Sequence, residues 1–274
     1  MKTARAVWTV LIPAGLGLEA MWLELAVGAP SRENLVPAIH IYLLSSTVYT
    51  ICAYLAYKSP ATRKGETYRW AAVILVALAF RLTVWPMMPL FTDDPVRYRW
   101  EGRVQEAGGN PYQSAPADAA WAHLRDETWL NQVTPDARAG YGPLIEMVQW
   151  GWYRTLANWT EDAWRQVFWF KAPGAAADLG VIAALAWLLR LRNLPAERLL
   201  LYAWSPLTVV EFWGNGHNDP IALVFVVVAV CLAVKLRWKW AFLALGGGIA
   251  AKLWPGLLVP IFTGWKGWRP ARWW

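Results

Sequence analysis

Between Phe91 and Tyr112 the chain reads FTDDPVRYRWEGRVQEAGGNPY, a charged interruption in a sequence otherwise built from apolar blocks. Its adjacent carboxylates, Asp93 and Asp94, can serve as a general base toward a hydroxyl, because low dielectric and mutual repulsion raise one of two neighbouring carboxyl pKa values. Asp-Asp-Pro also reads as a solvated turn that simply ends a helix. Arg97, Arg99 and Arg103 lie within one short helical stretch, where their guanidinium forks can hold a phosphate beside the acids or pair with carboxylates along the same helix. A second polar set, Gly214-Asn215-Gly216-His217-Asn218-Asp219-Pro220, offers His217, Asn218 and Asp219 to a sugar, a phosphate or a metal. One His with one Asp is a poor metal set, and the segment is equally a turn rich in breakers. No metal site is read, and a divalent cation stays open without support. Charges inside apolar segments are costly unless paired or facing water. Glu19, Glu24, Arg81, Asp178, Glu211 and Lys252 are such charges. Lys252, beside a helix break, is the best placed of them to meet a lipid phosphate.

The elements that must position these groups are membrane helices. Of the 274 residues 57% are hydrophobic, in blocks long enough to cross a bilayer, which excludes an ordinary soluble domain. The fold class expected is all-α integral membrane, with spans over roughly 7–27, 35–57, 70–90, 168–189, 199–213 and 221–234. A last block over 240–264 is interrupted by Gly246-Gly247-Gly248 and by Trp254-Pro255-Gly256. The whole chain is read as a single transmembrane domain, 1–274. Between the third and fourth spans lies an outer loop, 91–163. It ends in an amphipathic helix over about 143–159, with Ile145, Val148, Trp152, Leu156 and Trp159 on one side and Glu146, Gln149, Arg154 and Asn158 on the other. The 22 Trp residues, many near span ends, suit the interfacial belt. The net charge of +7 comes from bases clustered in short loops, so it is assigned to the positive-inside rule and not to nucleic acid. Lys2, Arg5, Lys58, Arg63, Lys64 and Arg69 place the N-terminus in the cytoplasm and the 91–163 loop outside it. Residues 91–142 carry eight acids against five arginines, which fits the outer side. Cys52 and Cys231 fall in apolar spans without metal-like spacing and read as small buried hydrophobes. Val7–Val27, long and holding Glu19 and Glu24, reads as a span and not as a cleavable signal.

The charged stretch resembles the signature of bacterial polyprenol-phosphate-sugar-dependent glycosyltransferases of the GT-C superfamily, in particular their mannosyltransferase-like members. Those read like Asp-Asp, then Arg-Tyr, Trp-Asp-Gly-Arg-Val and Gly-x-Asn-Pro-Tyr. YGPL at 141–144, AWSPLTVVEFWGNGHNDPIAL at 203–223 and AAKLWP at 250–255 follow in the family's order. The resemblance implies a GT-C-like polytopic helix bundle with a large extracytoplasmic loop carrying interfacial helices. It also implies a lipid-linked sugar donor and an inverting transfer with a loop Asp as base. On matching positions, Asp93 or Asp94 would deprotonate the acceptor, Asp93 being the first choice. Arg97, Tyr98, Arg103, Asn110 and Tyr112 would shape the cleft, His217, Asn218 and Asp219 would approach the sugar or acceptor, and Lys252 the phosphate. Glu101 stands where the pattern has Asp. Members of the family continue beyond the point corresponding to Trp274, so the chain reads as a short or truncated member, with a partner able to supply the further helices.

The function expected is transfer of a sugar, mannose first, from a polyprenyl-phosphate donor to a lipid or glycan acceptor at the outer face of a bacterial plasma membrane. No cofactor beyond that donor is called. A transporter or lipid flippase, since charges and broken helices also mark substrate pathways, and a non-catalytic relative of the enzymes remain as alternatives.

Overall fold

The computed structural model describes residues 2–28, 34–60, 66–131 and 134–264. The 29–33 link, the loop bases Arg63 and Lys64, and the tail 265–274 lie outside the described residues. Helices account for most of the described chain and no β-strand occurs among the described residues, so this is an all-helical polytopic membrane protein. Four helical segments are long and apolar enough to cross a bilayer: Val7–Val27, Val36–Tyr57, Glu66–Val84 and Ala163–Leu191. The chain forms two compact units, Met1–Phe91 with Ile182–Asn215, and Thr92–Val181 with Gly216–Trp274.

In the first unit α1 (Lys2–Val27), α2 (Val36–Tyr57) and α3 (Glu66–Val84) pack around buried Trp22, Phe80 and Trp204. These rings meet edge to face, with centroids 6.3 and 5.6 Å apart. The intramembrane charges find partners here. Glu19 accepts the Thr83 hydroxyl at 2.5 Å, and Arg69 forks onto Glu197 at 2.9 and 3.1 Å. Arg81, fully buried, donates to the carbonyls of Ala77 and Ala203 at 3.0 and 2.6 Å. That second bond explains why the span expected over 199–213 is not one helix. Pro206 has no N–H to give and disfavours the helical region before it, so the chain breaks into α8 (Leu200–Ala203) and α9 (Pro206–Val209). The carbonyls freed at the break are taken by side chains: Thr208 Oγ1 donates to Tyr202 O at 2.8 Å and Arg81 caps Ala203 O. A π turn over Val210–Gly214 follows, closed by Asn215 N–H on Val210 O at 2.8 Å.

The second unit holds α4 (Asp94–Glu106), α5 (Pro143–Ala157), α6 (Ala163–Trp169), the start of α7 (Ala172–Leu191), α10 (Asp219–Val234), α11 (Trp238–Ala251) and α12 (Val259–Thr263). Here α10 and α11 have 16 and 14 residues. At 1.5 Å per residue they reach only about 24 and 21 Å, short of the hydrocarbon thickness. Gly246–Gly248 does not interrupt the last block. It lies inside α11, where a Cβ on Gly247 would meet the Phe225 ring at 2.8 Å, so these glycines let α10 and α11 approach closely. The block does break beside the second expected place: Lys252 is extended (φ −144°, ψ 152°), just ahead of Trp254-Pro255-Gly256. The amphipathic helix is present as α5, but its polar side is divided: Arg154 and Asn158 are exposed and the first half is not. Glu146 and Gln149 are both buried, while Met147 is 65% exposed.

Candidate functional site

Asn215 sets up the entry to α4. Its buried Oδ1 accepts the backbone N–H groups of Leu90 and Phe91 at 3.0 and 3.1 Å, holding the chain as it leaves α3. Asp93 then occupies the N-cap and Asp94 opens the helix with Pro95 in its first turn, where acidic residues meet the positive helix end. Both aspartates are half-buried, and Thr92 Oγ1 accepts Asp94 N–H at 3.1 Å.

Three side chains, two of them from distant parts of the sequence, gather on Asp94 Oδ2. The Tyr98 hydroxyl, one helical turn on, donates to it at 2.5 Å. The Tyr141 hydroxyl approaches at 3.4 Å, and His217 Nε2 lies 3.7 Å away. Tyr98 and Tyr141 stack edge to face at 5.4 Å. Burial, reinforced by each ring's neighbour and by the Asp94 charge, pushes the Tyr98 hydroxyl well above the usual phenol range. Burial and the Asp94 charge do the same to Tyr141, so both remain protonated donors. The carboxylate is therefore aimed by fixed hydroxyls, with its side chain 31% exposed.

Lys252 closes the other side. Its ammonium bonds Asp219 Oδ1 at 2.8 Å and sits 5.3 Å over the Tyr141 ring. Main-chain contacts fix this register. Gly142 N–H donates to Ala251 O at 2.9 Å, and a Cβ on Gly142 would lie 2.2 Å from Ala250 O, so the start of α5 is seated against the end of α11. The His217 turn is held just as closely: Gly216 has φ +80°, and a Cβ there would meet Lys171 Cγ at 2.5 Å and Pro95 Cγ at 3.1 Å.

The structure thus brings Asp94, Tyr98, His217, Asp219 and Lys252 together, with Asp93 adjoining. It places the other expected residues elsewhere. Arg97 donates to Glu101 Oε1 at 2.7 Å and to the carbonyls of Thr134 and Ala137, acting as a strut for the loop between α4 and α5. Arg103 pairs with Asp126, which also takes Arg99 at 2.8 Å. Burial opposes ionisation of Asp126, but the hydrogen bonds and charge of Arg99, with Thr128, hold its carboxyl below the usual range. Asn110 shapes its turn by accepting Tyr112 N–H at 3.0 Å, and the Tyr112 hydroxyl caps Tyr141 O at 2.9 Å. Asn218 is buried and lines a small internal cavity with Tyr98, Gln149 and Trp152.

Two site residues were not singled out from the sequence. Lys171 is fully buried against Gly216. A lone lysine within an apolar helical run was the available signal. Tyr141 sits inside a quoted motif, but nothing local shows that its hydroxyl reaches Asp94. No group of three or more His, Cys, Asp or Glu able to hold a metal occurs among the described residues.

A helical membrane protein that assembles its charged 91–112 segment, a Tyr-Gly-Pro-Leu turn, a His-Asn-Asp-Pro turn and a broken Lys-containing helix around one carboxylate is of the GT-C mannosyltransferase-like kind. The chain belongs to the alpha-(1->6)-mannopyranosyltransferase N-terminal domain family, whose model matches residues 6–268. It is 26% identical over 210 residues to alpha-(1->6)-mannopyranosyltransferase B of Corynebacterium glutamicum, an alignment covering 69% of this chain and 33% of that protein. The match thus spans about a third of the relative's length. No solved structure matches.

Proposed function

We propose that the chain carries the acceptor-activating site of a mannosyltransferase that uses a polyprenyl-phosphate-linked sugar at the extracytoplasmic face of a bacterial plasma membrane. The observation that supports this most is the convergence on Asp94 of Tyr98, Tyr141 and His217, with Lys252 held beside Tyr141. In an inverting transfer the acceptor hydroxyl attacks the anomeric carbon opposite the phosphate. Its proton passes to the Asp94 carboxylate, and the electron pair of the breaking C–O bond leaves with the polyprenyl phosphate. Two phenols that stay protonated orient the base without competing for that proton. An ammonium has three donors, of which Asp219 takes one, so Lys252 retains donors for a developing phosphate charge. Asp93, on the N-cap, is the alternative base.

The test is transfer of radiolabelled mannose from polyprenyl-phosphate-mannose into a lipid or glycan fraction, by membranes containing this chain with Asp93→Asn or Asp94→Asn. A well-expressed Asp94→Asn protein should lose transfer by roughly 10²-fold or more. Loss in Asp93→Asn alone would move the base to its neighbour. Full transfer by both variants would overturn the proposal.

A further inference from the structure

Behind the site, where α4 crosses α5, two carboxyl groups lie buried together: Glu101, 1% exposed, and Glu146, 3% exposed. Each has one oxygen satisfied by a donor and one that is not. Glu101 Oε1 takes Arg97 Nε at 2.7 Å and Glu146 Oε2 takes Gln105 Nε2 at 3.1 Å, whereas Glu101 Oε2 and Glu146 Oε1 are buried without a donor in hydrogen-bond geometry among the described residues; the Gln149 amide, itself buried and unmatched, acts on Glu101 alone. Buried polar atoms without partners are rare, and two buried carboxylates whose charges act on each other are worse than unpartnered because they repel. The helices are too close to relieve this by separating: a Cβ on Gly102 would lie 2.5 Å from Gln149 O and 2.7 Å from Tyr153 Cβ. One proton resolves the arrangement, since it joins the two orphan oxygens and leaves a single negative charge opposite Arg97.

We propose that Glu101 and Glu146 share one proton, and that this carboxyl–carboxylate hydrogen bond is a positioning device fixing α4, and with it Asp94 and Tyr98, on α5. The charged and titratable groups that act on the pair are Arg97 and Asp94 on α4 and Tyr112 and Tyr141 on the outer loop. Of these only Arg97 favours ionisation. Burial first, then the Glu101 charge, pushes Glu146 up to about 9.

The test has two arms, and only the second rests on the proposed function. Infrared spectra of the purified full chain in lipid nanodiscs should show a protonated-carboxyl C=O stretch at neutral pH. That band should disappear from the unaltered chain as pH rises past about 9 and be missing at neutral pH from Glu146→Gln. In the transfer assay, activity of the unaltered chain should fall about tenfold from neutral pH to one unit above the Glu146 value. Glu146→Gln, whose amide N–H replaces the shared proton, should keep its neutral-pH activity over that interval. The tyrosines and Lys252 are identical in both proteins, so their titration cannot produce the difference. Absence of the carboxyl band at neutral pH in the unaltered chain would overturn the proposal. So would superimposable alkaline profiles. If the unaltered chain transfers no sugar, the proposed function fails and the infrared arm still decides for or against the shared proton.

Discussion

Replacing Gly174 by alanine adds one methyl group to the first turns of α7, where the new Cβ would sit 2.6 Å from His217 O. Ordinary contact begins near 3.4 Å, so one partner must move by about 0.8 Å. The obstacle is a main-chain carbonyl, which cannot swing aside as a side-chain tip does. On its other side the same turn is held by Gly216 against Lys171 and Pro95. Overpacking of this kind costs about 1–3 kcal/mol, offset by up to about 1 kcal/mol from the better helix propensity of alanine. Net stability should therefore fall by about 0–3 kcal/mol. Activity should fall further, because His217 Nε2 stands 3.7 Å from Asp94 and a displacement near 1 Å at a reacting centre can cost about 10²-fold. Gly151 supplies the control: it lies in α5 with nothing within 4 Å of a built Cβ, so Gly151→Ala should be as stable as the unaltered chain or up to about 1 kcal/mol more. Thermal unfolding in detergent and mannose transfer on the two variants make the comparison. A Gly174→Ala protein indistinguishable from Gly151→Ala in both assays would refute the claim that close packing under His217 sets the site.

Arg81→Leu should destabilise the first unit by about 2–4 kcal/mol, because it strips the donor from Ala203 O at the Pro206 break while leaving that carbonyl buried; unfolding in detergent measures it. Asp126→Asn should loosen the 107–142 loop, since Arg99 and Arg103 both end on this carboxylate, and limited proteolysis should then cut the loop several times faster. The same pair gives a pH dependence. A carboxyl held below its usual value stabilises the fold above the unfolded pKa and loses that contribution as pH falls through the folded one. The loop of the unaltered chain should thus resist an acid protease down to about pH 4 and open only below it. Gly102→Ala should separate α4 from α5 and lower both stability and transfer, its Cβ meeting Gln149 O at 2.5 Å. A stable, fully active Gly102→Ala protein would contradict the tight crossing.

Which parts of this arrangement were legible in the sequence follows from which interactions are local. Apolar length marks α2 to within a residue, at 36–57 against 35–57, because burial in lipid depends on composition; it also locates the helix α10, at 219–234 against 221–234, but not that its 16 residues fall short of a span. Pro143 and the three-to-four-residue spacing mark α5 for the same kind of reason. The glycine run in α11 misleads because glycine weakens an isolated helix yet permits close packing of two, and only the facing Phe225 decides between these. Arg97 and Arg103 look like phosphate ligands beside an acidic pair; the pairing of Arg97 with Glu101 one turn on was legible as the in-helix alternative, but their other acceptors are loop carbonyls and Asp126, 23 to 40 residues away in sequence.

The charged groups therefore divide by a physical criterion that sequence spacing does not carry. Arg97, Arg99 and Arg103 have geometry-matched acceptors within the second unit and serve to hold the loop. Among the described residues Asp94 is met at Oδ2 by two hydroxyls that do not neutralise its charge and, at 3.7 Å, by His217 Nε2, and Lys252 keeps two donors beyond Asp219. A carboxylate and an ammonium left incompletely matched stand where an Asp-Asp-Pro helix start meets a His-Asn-Asp turn, and the proposed function rests on that pair. The better-matched charges around them, together with the Glu101–Glu146 pair, keep that geometry in place.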